Sequence, residues 1–184
     1  SPHPNTTRHA IRGIVHGPDF QIVLVDTPGI HKAKTALGHR LNAVVAESLD
    51  SVDIIALCLP ADEKSGTGDL FIIEEMKRHS GAKKIAFVTK SDLVSKSDLA
   101  QRLLEVSTLA EWDEIVPLSA KRNEQIDVAR DVVAKYLPEG PALFPSDMSS
   151  DQEQEQLLCE LIREAALVDV RNELPHSIMV TIDE

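Results

Sequence analysis

Phe20-Gln21-Ile22-Val23-Leu24-Val25-Asp26-Thr27-Pro28-Gly29 is the stretch whose reading decides the fold. Phe20–Val25 is a short run rich in β-formers, and Asp26-Thr27-Pro28-Gly29 ends it in residue types that favour turns. A second β-type run, Ile11–Val15, lies just upstream across His16-Gly17-Pro18-Asp19, so the pair predicts a hairpin. Downstream, apolar runs alternate with helical patterns. A helix is expected at about 36–48, a buried strand over Asp53–Leu59 and a helix near Asp69–Arg78. The strand Lys84–Val88, a helix at about Asp98–Leu109, the strand Glu114–Pro117 and a helix at about Glu124–Tyr136 follow. Such alternation, with uninterrupted apolar strands, predicts an α/β domain with a mostly parallel sheet covered on both faces.

Four short motifs sit where strands end or are about to begin. In nucleotide hydrolases an Asp at a strand end holds a Mg²⁺-bound water, and a Gly just beyond offers a bare backbone N–H to a γ-phosphate. Asp26 and Gly29, with Thr27 and Pro28 between, have that spacing, although the tetrapeptide is equally an ordinary turn. Thr89-Lys90-Ser91-Asp92 follows the strand Lys84–Val88. A carboxylate there can accept from both N1–H and the exocyclic N2–H of guanine, a donor pair that adenine lacks. The aliphatic stem of Lys90 can lie over the base plane. Ser119-Ala120-Lys121 follows the strand Glu114–Pro117, where the Ala120 N–H can meet guanine O6. Pro4-Asn5-Thr6-Thr7-Arg8-His9 precedes the hairpin, and a Thr hydroxyl in such a loop can ligate Mg²⁺ as the loop orders. Singly, each motif has a bland reading as turn, cap or terminus. Their order is more specific, because ligands of open α/β sheets bind at the carboxyl ends of strands.

The runs Pro4–His9, Asp26-Thr27-Pro28-Gly29-Ile30-His31 and Ile115-Val116-Pro117-Leu118-Ser119-Ala120 closely resemble the Era family of ribosome-assembly GTPases, within the TrmE-Era-EngA-like superfamily. So do Glu160-Leu161-Ile162-Arg163-Glu164 and Glu173-Leu174-Pro175-His176-Ser177. The resemblance implies a Ras-like GTPase domain over 1–137, without its first strand and phosphate loop. It also implies the start of a type II KH domain over 150–184. Residues 138–149, rich in proline, read as the linker. By the same resemblance Thr7 is a Mg²⁺ ligand within a switch I of Asn5, Thr6, Thr7, Arg8 and His9. Asp26, Thr27, Pro28 and Gly29 form switch II, with Asp26 reaching Mg²⁺ through water. Asp26, Gly29, Thr89, Lys90, Asp92, Ser119, Ala120 and Lys121 bind GTP. Ile30 stands where Ras-like GTPases carry a water-orienting Gln, so no side-chain base is identifiable. The intact parent is then expected to hydrolyse GTP with Mg²⁺ as cofactor and GTP or GDP as ligand. Its implied partners are 16S ribosomal RNA and the 30S subunit, whose assembly it assists. Its implied location is the cytoplasm, with peripheral association with the inner membrane.

Three departures qualify this. Thr89 stands where the family's base-reading motif has Asn, exchanging an amide for a hydroxyl. No G-x-x-x-x-G-K-[ST] occurs, and that loop supplies the amide cradle and the phosphate Lys. The KH segment stops before its G-x-x-G loop. The chain is therefore expected to be a segment of a longer protein, with a gap in its sheet. The competing reading is a non-catalytic module that binds RNA or a ribosomal partner.

Composition narrows the remainder. Among 184 residues, 30 acidic and 19 basic give a formal charge of -11, which argues against broad nucleic-acid binding, though a local basic surface remains compatible. Cys58 and Cys159 lack metal-ligand spacing and are expected as buried or half-buried thiols. His9, His31 and His39 fall near the nucleotide edge without zinc-like spacing. Lys32, Lys34, Arg40 and Arg163 are candidates to face RNA. No stretch approaches the roughly 20 apolar residues that span a bilayer.

Overall fold

The computed structural model describes residues 11–26, 49, 52–150, 158–159 and 162. The expected hairpin is present. Strand β1 (Ile11–His16) pairs antiparallel with β2 (Gln21–Asp26), in a register that sets His16 opposite Gln21 and Ile11 opposite Asp26. The Gly17 N–H closes the turn onto the Phe20 carbonyl at 2.9 Å. A Cβ at Gly17 would come within 2.3 Å of the Phe20 ring, so this corner has no room for a side chain.

The alternating segment forms β3 (Ile54–Pro60), α1 (Thr67–Lys77), β4 (Lys83–Thr89), α2 (Lys96–Leu109), β5 (Glu114–Pro117) and α3 (Ile126–Lys135). Strands β3, β4 and β5 pair in that order, all parallel. The helix boundaries move by one or two residues, α3 running Ile126–Lys135 rather than from Glu124 to Tyr136. Helix α1 begins at Thr67, where the Asp69 carboxylate accepts from the Gly66 N–H at 2.8 Å. Helix α2 begins at Lys96, capped by the Ser95 hydroxyl, which accepts from the Asp98 N–H at 3.2 Å. An N-cap of this kind contributes roughly 1 kcal/mol.

The core explains the strand composition. On one face, Ile55, Leu57 and Leu59 of β3 and Ala86 and Val88 of β4 pack against Ile73 and Met76 of α1 and Val106 of α2. On the other, Ile85 of β4 meets Ile22 of β2 and Val133 of α3, while Val116 and Leu118 pack on Ala129 of α3. The centre of β4, Ile85–Val88, is thus packed on both sides, as the apolar run of a parallel strand must be. Leu59, Ile85 and Val88 are wholly buried, and each aliphatic side chain so placed stabilises the fold by about 1.5–3 kcal/mol.

One expectation is corrected here. On the second face of β3, Ile54 packs with the Ile22, Ile85 and Val133 cluster, but Ala56 and Cys58 are exposed. Cys58, expected as a buried or half-buried thiol, is exposed because the period-2 alternation of β3 puts Leu57 and Leu59 in the core and turns residue 58 away. The hairpin, moreover, is its own two-stranded sheet, and among the described residues no ladder joins β2 to β3. Apolar packing through Ile22 holds the two sheets together. The helix expected at 36–48 and the strand at 176–182 lie outside the described residues. Within the last segment, Leu158, Cys159 and Ile162 are helical, with both aliphatic side chains about half exposed.

Candidate nucleotide-binding site

The parallel register aligns Val88 of β4 with Pro117 of β5, so the loops leaving these strands emerge side by side. Backbone bonds fasten them: the Leu118 N–H donates to the Val88 carbonyl at 2.9 Å and the Ser91 N–H to the Leu118 carbonyl at 3.2 Å. On the β3 side, the Ala61 N–H donates to the Thr89 carbonyl at 2.8 Å. Thr89, Lys90, Ser91 and Asp92 therefore lie between two further loops at one edge of the sheet. Lys90 has φ 55°, left-handed backbone that turns the chain sharply into the short 3₁₀ turn Ser91–Leu93.

Asp92 and Ser119, 27 positions apart, meet here. The fully buried Ser119 hydroxyl donates to Asp92 Oδ1 at 2.5 Å and accepts from the Arg122 N–H at 3.1 Å. Its backbone pairs twice with Glu124, closing the turn that carries Ala120 and Lys121. Asn123 and Gln125 complete this turn with left-handed φ of 53° and 62°. The Ser119 hydrogen bond holds the Asp92 carboxyl below the usual carboxylate range; partial burial opposes it, and the charges of Arg122 and Lys121 assist. Asp92 is consequently an anion at neutral pH, an acceptor-only group with its geometry pinned on one oxygen. Such a group suits a ligand edge presenting two adjacent N–H donors.

Three residues outside the motifs reach this edge: Asp62, Glu63 and Arg102. Lys90 is half exposed, and its Nζ lies 3.4 Å from Glu63 and 3.8 Å from Asp62, both in the loop after β3. Exposed pairs of this kind contribute little to stability, but they direct the ammonium toward that loop. Arg102 of α2, only 5% exposed, holds the same loop: Nε donates to the Pro60 carbonyl at 3.2 Å and Nη1 to Ser65 Oγ at 3.0 Å. Nη1 also pairs with Glu105 at 3.1 Å. An Asp-Glu pair just past a parallel strand is a sequence signal for a third loop at this edge, whereas nothing local marks Arg102.

Of the other predicted site residues, Asp26 is the last residue of β2. That strand starts in the cluster Ile22 shares with Ile85, Val133 and Ile54. Ala120 and Lys121 are exposed in the turn after β5. Asn5, Thr6, Thr7, Arg8, His9, Thr27, Pro28, Gly29 and Ile30 lie outside the described residues. So do His31, His39, Lys32, Lys34, Arg40 and Arg163. Among the described residues no group of three His, Cys, Asp or Glu is arranged to hold a metal ion, and no helix is long and apolar enough to cross a membrane.

Comparison with known proteins accords with this geometry. The profile of the 50S ribosome-binding GTPase family matches residues 1–91. The chain is 50% identical over its whole length to GTPase Era of Streptomyces coelicolor, covering 60% of that protein. It is 51% identical to GTPase Era of Mycobacterium tuberculosis, again over its whole length and covering 62% of that protein. It thus spans about three fifths of the curated relatives it matches. An Era crystallised with MgGDPNP and nucleotides 1506–1542 of 16S ribosomal RNA superposes on the full chain with TM-score 0.93 at 33% identity, 63% of that structure being covered. An Aquifex aeolicus Era variant bound to GDP·AlF4⁻ gives 0.92 at 34%, with the same coverage. The fold is that of a Ras-like GTPase domain, with a three-stranded parallel sheet flanked by helices.

Proposed function

We propose that this chain belongs to the Era family of GTPases, to whose members it is similar over its full length, and that the protein containing it binds and hydrolyses GTP as a switch. In this reading it engages small-subunit ribosomal RNA and assists assembly of the 30S subunit. The observation that carries the reading is the Asp92–Ser119 pair at the joined carboxyl ends of β4 and β5. The matched profile is named for the 50S subunit but covers 91 residues. The Era structure similar over the full chain holds 16S RNA, a small-subunit component, and we follow that likeness.

The ionised Asp92 accepts from N1–H and N2–H of guanine, Ser119 orients it, and the Lys90 stem covers the base. Thr89 and Lys121 frame this pocket, and the Ala120 N–H faces O6. A base offering an acceptor at N1, as adenine does, would leave the part-buried carboxylate unpaired, and such mismatches discriminate strongly. Asn5, Thr6, Thr7, Arg8 and His9 act as switch I, and Asp26, Thr27, Pro28 and Gly29 as switch II. The Gly29 N–H senses the γ-phosphate. The position of Asp26 at a strand end, with its hard oxygen donors, fits a water-mediated contact to Mg²⁺, with the Thr7 hydroxyl as a direct ligand. When bound, Mg²⁺ supplies neutralisation of charge on the phosphate oxygens. The residues themselves supply positioning: water attacks in line, and backbone amides stabilise the developing charge without a side-chain base. Residues 1–137 form the G domain, 138–149 the linker and 150–184 the start of a KH domain. The protein works in the cytoplasm, with peripheral contact to the inner membrane.

Asp92→Asn in the intact protein is the test. The amide loses the second acceptor for guanine and gains a donor that matches the O2 carbonyl of xanthine. Competition binding of labelled GDP and XDP should show preference shifting from guanine toward xanthine, and unchanged guanine selectivity refutes the assignment.

A further inference from the structure

The hairpin is fastened to the segment that leads into residues 150–184 by a set of hydrogen bonds that nucleotide binding does not require. Gln21 is its centre. Its Oε1 accepts from the Leu143 N–H at 2.8 Å and the Phe144 N–H at 3.0 Å. Its Nε2 donates to the Phe144 carbonyl at 2.8 Å and lies 3.3 Å from His16 Nδ1. Both lone pairs and both amide protons are thereby used, so the side chain reads a backbone stretch much as a neighbouring strand would. His16 extends the contact, its Nε2 lying 2.8 Å from the Met148 carbonyl. One neutral tautomer satisfies both His16 contacts: Nδ1 accepts from Gln21 and Nε2–H donates to Met148. Further along, the Ile14 N–H donates to the Ser149 carbonyl at 2.8 Å, and Gly13 bridges Ser150.

Position in the chain gives this contact a consequence. β1 follows the proposed switch I directly, and β2 ends at Asp26, the first residue of the proposed switch II. We propose that Gln21 is a positioning residue that locks residues 143–150 to the hairpin. Movement of the hairpin with nucleotide state is then passed to the segment beyond residue 150. This rests on the functional reading above. Glu at position 21 would keep the acceptors for Leu143 and Phe144 but lose the donor to the Phe144 carbonyl and set two acceptors face to face. Ala removes every bond.

The test uses the intact protein with Gln21→Glu and Gln21→Ala. Hydrogen exchange at the Leu143 and Phe144 amides should accelerate in Gln21→Ala, and labelled-GDP affinity should remain as in the parent. The ratio of affinities for a 16S RNA 3′ fragment between the GTP-analogue and GDP states, expected at about fivefold or more for a coupled pair of sites, should fall toward unity in both variants. An unchanged ratio with exposed amides in Gln21→Ala overturns the proposal. So does rapid exchange at Leu143 and Phe144 in the parent protein, a measurement that needs no variant to fold. A parent protein that binds neither GDP nor the RNA would instead sink the functional reading and leave the Gln21 contacts standing.

Discussion

Replacing Ser119 with Ala isolates the contact on which the proposed base recognition depends. The substitution removes one oxygen from a site with no solvent exposure. Two bonds go with it: the donation to Asp92 at 2.5 Å and the acceptance from the Arg122 N–H at 3.1 Å. The Arg122 amide is then left without its acceptor in a part-buried turn, and an orphaned group of this kind costs about 1–3 kcal/mol. Asp92 loses the principal cause of its depressed pKa, which moves back toward the ordinary carboxylate range while staying ionised at pH 7. The carboxylate keeps its charge and loses its alignment. Guanine-nucleotide affinity in the intact protein should fall about tenfold, the equivalent of roughly one hydrogen bond. Selectivity for guanine over adenine should persist, because the acceptor pair survives. Labelled-GDP titration measures the first, competition with ADP the second, and urea unfolding of the same samples the stability term. Undiminished GDP affinity at wild-type stability would refute the claim that Ser119 positions Asp92.

Other consequences follow from the same contacts. Arg102→Met keeps much of the apolar stem but removes the hold on the Pro60 carbonyl and Ser65, so unfolding stability should drop by about 1–3 kcal/mol; faster hydrogen exchange should be confined first to the loop after β3, and uniform exchange would contradict this. At the opposite edge, bonds from the Lys84 N–H and the Lys83 ammonium hold the Asp113 carboxyl below its usual range. A depressed folded-state pKa stabilises above the unfolded value near 3.9 and is lost as pH falls through the folded value. Urea midpoints should therefore decline below about pH 4, and Asp113→Asn should flatten that acid arm. The same bond raises the Lys83 pKa, so its contribution is present below the unfolded value and disappears as pH rises through the folded one. A steeper alkaline loss in the variant than in the parent would run against that sign.

Much of the architecture was legible because it is local. The apolar runs at 54–59 and 84–88 are strands under any period count, and the 16–19 turn between two β-type runs admits few alternatives to a hairpin. The loops 89–92 and 119–121 could be placed at one edge of the sheet because each follows such a strand. The outward turn of Cys58 was missed because an unbroken apolar run does not say which of its faces will be covered. The separation of the hairpin from the parallel sheet accords with the gap in the sheet that the resemblance implied.

By itself, then, the sequence determined the alternating α/β architecture and the carboxyl-edge placement of the loops 89–92 and 119–121, since both rest on periodicity and short motifs along the chain. Only the tertiary structure decided which side chains complete them. Ser119 finds Asp92 across 27 positions, Arg102 reaches Pro60 across 42, and Gln21 reaches Phe144 across 123. Hydrogen bonds are short and directional, so partners this remote become partners only after hydrophobic packing has brought their strands and loops together.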